Sequence, residues 1–199
     1  ASPKLELQIF ATGQHLLKEF GYTYKEVKAQ FPQAQRIESV FKINDQFSSA
    51  NFAGKFLSKI IKALSSAKPD VVLLLGDRPE MLCTALACLY LGIPTAHIHG
   101  GDRTATVDES ARHAITKLSN LHFPASVEAA QRIIKIGEQK WRVHMVGAPW
   151  IEVINNIISD RRIVLENFDF IKNNKFILVT QHPVSEYISD AGRQMMETL

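Results

Sequence analysis

Cysteine is scarce: Cys83 and Cys88 are the only two among 199 residues. They share one apolar segment at a spacing that suits neither a disulfide framework nor a zinc knuckle. Both therefore read as packed thiols in a reducing compartment. Long hydrophobic runs are also lacking. The longest, MLCTALACLYLGIP, is broken by Gly92 and Pro94 and falls short of a membrane span. No signal peptide precedes it, so the expectation is a cytoplasmic protein with no membrane partner. Charge of one sign is not in excess either. Lys and Arg total 23 against 20 Asp and Glu, a net +3, and no basic cluster is interleaved with aromatics. Nucleic acid is therefore not an expected partner. What is present is ordinary for a chain that buries a core: 46% hydrophobic and 22% charged residues.

Strand and helix patterns alternate. LELQIFATG (5–13) reads as a strand ending at Gly13, and Phe52, Phe56, Leu57, Ile60, Ile61 and Leu64 recur at helical spacing within 47–64. VVLLL (71–75) is a continuous apolar strand, the pattern of a parallel strand covered on both faces. Pro79 opens a nearly all-apolar helix over 79–91 that Gly92 ends, and PTAHIH (94–99) is the next strand. A helix over 108–120, a strand at 121–125 and a helix over 126–136 capped by Ser126 follow, then a strand at 142–147 and a helix over 149–158. The polar stretch 159–174 separates these from a strand at 175–180. This alternation predicts an α/β fold with a doubly wound, Rossmann-like parallel sheet. It places one domain over 1–160 and the start of a second over 175–199.

In open α/β sheets, ligands bind beyond the carboxyl ends of the strands. Four such ends carry polar groups: Gly13 and His15, Asp77 and Arg78, His99 to Asp102, and Gln181 with His182. At the second, Asp77 reads either as a helix cap beside a solvated Arg78, or as part of a site where Arg78 clamps a phosphate. His97 and His99 fall on one face of their strand. With Asp102 they supply too few convergent donors for a zinc site, so no metal is expected. Gly100 and Gly101 are the residues that let backbone approach a ligand closely. In VDESARHAITKL (107–118), Asp108 stands at the helix start, with Arg112 and His113 four and five residues on. A cap and an i,i+4 ion pair between Asp108 and Arg112 account for that pattern on their own. Residue types and spacing thus reach an α/β protein with a polar cleft for an anionic ligand, and name no reaction.

GDRPEM, AHIHGGD, DESARHAITKLSNLHF, VGAPW and QHPV, in this order and spacing, resemble the hydrolysing UDP-N-acetylglucosamine 2-epimerases of sialic-acid-type sugar biosynthesis. ATGQHLLKEFGYTYKEV resembles their N-terminal region, so the similarity covers essentially the whole chain. The resemblance implies a GT-B-like plan of two Rossmann-like domains, the second incomplete, with UDP-sugar bound between them and no cofactor. It implies conversion of UDP-N-acetylglucosamine and water to N-acetylmannosamine and UDP, through elimination to a glycal and hydration. The same chemistry on a UDP-2,4-diacetamido-trideoxy sugar and a non-catalytic nucleotide-sugar-binding or assembly module are the alternatives. By position, Asp77 and Asp108 match catalytic acids, and Arg78 and His182 match groups that contact the UDP phosphates. His15, Asp102, Arg112 and His113 match polar residues of the cleft. His99 stands where some members carry a catalytic glutamate, so that either its imidazole takes over proton transfer or Asp102 partly substitutes. The resemblance further implies a homodimer or homotetramer. It also implies a truncated chain, one that starts after the family's first strand, lacks its uridine-binding segment and is inactive by itself.

Overall fold

A computed structural model of the chain describes residues 4–39, 46–104, 107–156, 162, 165–166, 168, 171, 175–182 and 189–199. The chain divides into two compact units, Ala1–Gly147 and Ala148–Leu199. In the first, β1 (Phe10–Ala11) pairs in parallel with β2 (Gln35–Arg36), and α1 (Tyr24–Gln30) lies between them in sequence. After α2 (Gln46–Ala67) comes a three-stranded parallel sheet of β3 (Val72–Leu75), β4 (Thr95–Ile98) and β5 (Leu121–Phe123), in that spatial order. The crossovers are α3 (Pro79–Leu91) and α4 (Val107–Leu118), and α5 (Val127–Lys135) follows β5. The second unit contributes α6 (Pro149–Asn155) and α7 (Ala191–Thr198).

Four-residue spacing builds the core. Phe52, Phe56, Ile60 and Leu64 stack along one face of α2 and pack on Cys83, Ala87 and Cys88 of α3. The Phe52 and Phe56 rings lie 5.7 Å apart and nearly parallel. Burying each such ring contributes roughly 2–3 kcal/mol. On its other side, α3 uses Ala85 to meet Leu74 and Ile115 of α4. Both cysteines are buried and free, and burial pushes their thiols up to about 11, which keeps them inert packing groups. Pro79 opens α3, and Gly92 closes it at φ +68° with its N–H turned back to the Cys88 and Leu89 carbonyls. The Ser126 hydroxyl accepts from the Ala129 N–H at 3.2 Å and starts α5.

Three expected strands are corrected. Over 5–13 only Phe10–Ala11 forms a ladder, because β2 is equally short; Leu5 and Leu7 stay exposed. At 142–147 the chain runs beside β5 with a single bridge, His122 to Val143, and two bonds from the His144 and Val146 N–H groups to the His122 and Pro124 carbonyls. Pro124 has no N–H to return, so the ladder stops. Residues 175–180 form no strand at all; Phe176, Ile177 and Leu178 are exposed and lack a pairing partner among the described residues. Cover on both faces of β3 is also not found among them. Leu74 is buried beneath α3 and α4, whereas Val71, Leu73 and Leu75 on the alternate face are exposed. The end of the expected 149–158 helix and most of 159–174 lie outside the described residues. No helix among the described residues is long and apolar enough to cross a membrane.

Candidate active site

The carboxyl ends of β3 and β4 and the start of α4 bring most of the expected residues together. β3 leaves the sheet through Gly76, whose φ of +75° turns the chain sharply and leaves Asp77 next in line. Arg112, buried on α4, donates through Nη2 to Asp77 Oδ2 and through Nη1 to the Asp102 carbonyl at 2.8 Å. The helical i,i+4 pairing of Arg112 with Asp108 is therefore not the ion pair formed. Arg112 reaches across to β3 instead, and Asp108 stands exposed in the first turn of α4. His99, where β4 ends, has a left-handed backbone at φ +62° and is largely buried. Its Nδ1 lies 3.2 Å from Asp102 Oδ2. A non-glycine residue held there costs of order 1–3 kcal/mol, and such strain concentrates at working sites.

The loop after Asp102 is tied down by Glu109. Its carboxylate accepts from the Thr104 N–H at 3.0 Å and lies 3.7 Å from both Arg103 Nε and His113 Nε2. Sequence reasoning passed over Glu109, although an acid in the first turn of a helix is its visible signal. It passed over Glu80 as well. That buried carboxylate pairs with Arg78, Nε to Oε2 at 3.2 Å, while nearly half of the Arg78 side chain remains in solvent. Gly13, at φ +60°, lies against Glu80 so closely that a Cβ there would strike its carboxylate. The Gly13 turn and the Asp77–Arg78 turn thereby both meet the Glu80 side chain. His15 follows in the same turn, exposed, with Nδ1 2.7 Å from the Thr23 hydroxyl. His182 belongs to the second unit and is exposed; its neighbour Pro183 lies outside the described residues. Among the described residues, no group of three or more His, Cys, Asp and Glu is arranged to hold a metal.

The glycine pair also has a reason within the protein. A Cβ at Gly100 would lie 2.9 Å from both His97 Nδ1 and Thr116 Oγ1, and one at Gly101 would lie 2.4 Å from the Ala129 carbonyl oxygen. The close approach these residues allow is to α4 and α5, within the protein.

His97 is fully buried, and burial pushes its imidazole down to about 4 from the usual 6.5. Neutral at physiological pH, it donates from Nε2 to the Gly76 carbonyl at 2.8 Å, and its Nδ1 lies 3.1 Å from the Thr116 hydroxyl, whose single proton is shared with the Arg112 carbonyl at 3.0 Å. The unfolded chain takes up this proton near pH 6.5 and the folded chain only near pH 4. Stability is therefore complete above about pH 6.5 and falls as the pH drops through that window, by up to about 3 kcal/mol from this group. Urea midpoints measured from pH 7 to pH 4 should show this decline. His97→Gln, which cannot titrate, should flatten it; an unchanged slope in that variant would place the titration elsewhere.

Known proteins resemble this chain in sequence and in fold. A sequence-family model described as UDP-N-acetylglucosamine 2-epimerase matches residues 1–199. The UDP-N,N'-diacetylbacillosamine 2-epimerase (hydrolyzing) of Legionella pneumophila is 39% identical over 200 residues, covering 100% of this chain and 53% of that protein. The GDP/UDP-N,N'-diacetylbacillosamine 2-epimerase (hydrolyzing) of Campylobacter jejuni is 35% identical, covering 98% of the chain and 51% of its own length. The chain thus spans about half the length of the curated relatives it matches. Among solved structures, the UDP-GlcNAc 2-epimerase of Neisseria meningitidis bound to UDP-GlcNAc superposes with a TM-score of 0.66 at 22% identity, over 86% of this chain and 48% of that one. That likeness shows the fold: α/β with parallel sheets, on the GT-B-like plan. The chain belongs to the UDP-N-acetylglucosamine 2-epimerase family.

Proposed function

We propose that the protein, at its full natural length, is a hydrolysing 2-epimerase acting on a UDP-linked 2-acetamido sugar. The observation that carries the reading is Asp77, fixed by buried Arg112 at the end of β3, beside the strained His99 and Asp102 at the end of β4. Such a constellation suits removal of a proton next to a leaving group. A base takes the C2 proton, the electron pair forms the C1–C2 double bond, and the C1–oxygen bond breaks to release UDP. Water then adds across the glycal, hydroxyl to C1 and proton to the opposite face of C2. Asp77, His99 and Asp108 are the proton-transfer groups of these two steps, with Asp102 orienting the His99 imidazole. Arg78, His15 and His113 supply polar contacts to the UDP-sugar, while Arg112 holds Asp77.

Two substrates fit this chemistry. UDP-N-acetylglucosamine would give N-acetylmannosamine for sialic-acid-type sugars. The names of the Legionella and Campylobacter relatives favour the UDP-2,4-diacetamido-trideoxy sugar instead. Incubation with each UDP-sugar in turn, followed by measurement of released UDP and of the C2 configuration of the free sugar, separates them. The expected result is UDP release with inversion at C2 from one of the two. Binding of neither sugar would sink the reading, and binding without release would leave a nucleotide-sugar-binding module.

A further inference from the structure

The residues that touch Asp77 directly do not exhaust what aims it. α4 reaches the Gly76–Asp77 turn by a second route. Thr116, one helical turn after Arg112, meets His97 Nδ1 at 3.1 Å, and the opposite ring nitrogen meets the Gly76 carbonyl at 2.8 Å. Gly76 is the residue whose left-handed φ of +75° sets the direction in which Asp77 leaves β3. Its own N–H is held by the Ile98 carbonyl at 3.0 Å, so both of its peptide groups are pinned by β4. The ring between them is fully buried and its neighbours leave it no slack: Gly100 packs against the His97–Thr116 contact where even a methyl group would intrude. Arg112 of α4 fixes the carboxylate at its tip, and His97 of β4, braced by Thr116 of α4, fixes the backbone at its root.

We propose that His97, supported by Thr116, is a positioning residue for Asp77: it holds the Gly76 carbonyl and thereby the turn that aims the carboxylate at substrate. His97 touches no substrate, so it acts on the chemical step and leaves substrate binding largely alone. This rests on the epimerase reading for its kinetic test only.

The test uses His97→Asn, His97→Gln and Thr116→Val in the full-length protein. Asn places a polar group near Nδ1 but does not reach Gly76, whereas Gln reaches with an amide N–H close to Nε2. His97→Asn is expected to lower kcat by about 10–100-fold with KM changed less than about threefold, the size of effect that sub-ångström misplacement produces. His97→Gln should recover most of that loss. Equal losses in the two variants, or a loss that appears in KM, overturns the proposal. Thr116→Val leaves the Gly76 contact and frees the other end of the ring. If His97→Asn fails to fold, this variant decides: a kcat reduced by about 3–10-fold at unchanged KM supports the proposal, and unchanged kcat overturns it. A readout apart from turnover is the amide resonances of Gly76 and Asp77. They should shift in His97→Asn, or in Thr116→Val if the former does not fold, and return toward their original positions in His97→Gln. If the unmutated protein releases UDP from neither sugar, the functional reading fails, and these resonances alone decide whether His97 holds the turn.

Discussion

Asp77→Asn is expected to lower turnover by about 10³-fold, within the range that removal of a positioned acid or base produces, while UDP affinity changes little. Asn has nearly the shape of Asp and its amide oxygen can still accept from Arg112, so the turn after β3 persists. What disappears is the carboxylate that takes the proton. The variant also leaves the guanidinium of Arg112, itself buried, without its counter-charge. That loss costs stability, on the order of 1–3 kcal/mol, and it lowers the thermal midpoint without emptying the active fraction at 25 °C. The decisive comparison is therefore made on folded protein. UDP release, UDP affinity and exchange of the C2 hydrogen with deuterated solvent are followed side by side. Loss of release and exchange together, with UDP still bound, assigns Asp77 to proton transfer. A loss of turnover no larger than the loss of folded protein would make Asp77 a structural partner of Arg112.

Gly101→Ala carries the largest expected effect on stability. The added methyl group meets the Ala129 carbonyl oxygen at 2.4 Å and Ile133 Cγ1 at 3.0 Å, and the backbone is at φ +83°. Neither neighbour yields easily. One is main chain inside α5, and Ile133 is fully buried. The left-handed backbone adds about 1–2 kcal/mol for a residue with a Cβ and the collision about 1–3 kcal/mol more. For a chain of this size, the sum corresponds to a thermal midpoint lower by roughly 10 °C. Gly92→Ala is the control: its φ of +68° is similar, but a Cβ there meets nothing within 4 Å. It should cost about 1 kcal/mol. Equal midpoints for the two variants would mean that α5 is not held against the Gly100–Gly101 turn.

How much of this was readable beforehand depended on the range of each interaction. The helix α3 was legible to the residue, because Pro79 and Gly92 are local signals whose mechanism needs no partner. The apolar spacing of α2 was equally plain, and so was the cap at Ser126. The strands at 142–147 and 175–180 were not legible, because a strand exists only where a neighbour returns its hydrogen bonds. Pro124 cannot do so, and Phe176–Leu178 have none among the described residues. At the site, the strand-end positions of Asp77, His99 and Asp102 followed from the alternating pattern alone. The partner of Arg112 did not: local spacing offered Asp108, and the fold supplied Asp77 from 35 residues away. Local spacing presents His97 as a donor beside His99 and Gly100–Gly101 as a ligand-facing turn. The contact of His97 with Thr116, which leaves no room for a side chain at 100, is a tertiary fact without a local signature.

The packing of Gly100 on the His97–Thr116 contact also constrains how this corner can evolve. A side chain at 100 displaces the ring or the hydroxyl, so that step is tolerable only after position 97 or 116 has shrunk. Shrinking 97 first removes the hold on Gly76, and shrinking 116 first removes the brace on the ring, while glycine still leaves the vacated space empty. Each single-step path thus passes through an impaired intermediate, and the three positions form an epistatic unit whose members change in company or stay fixed.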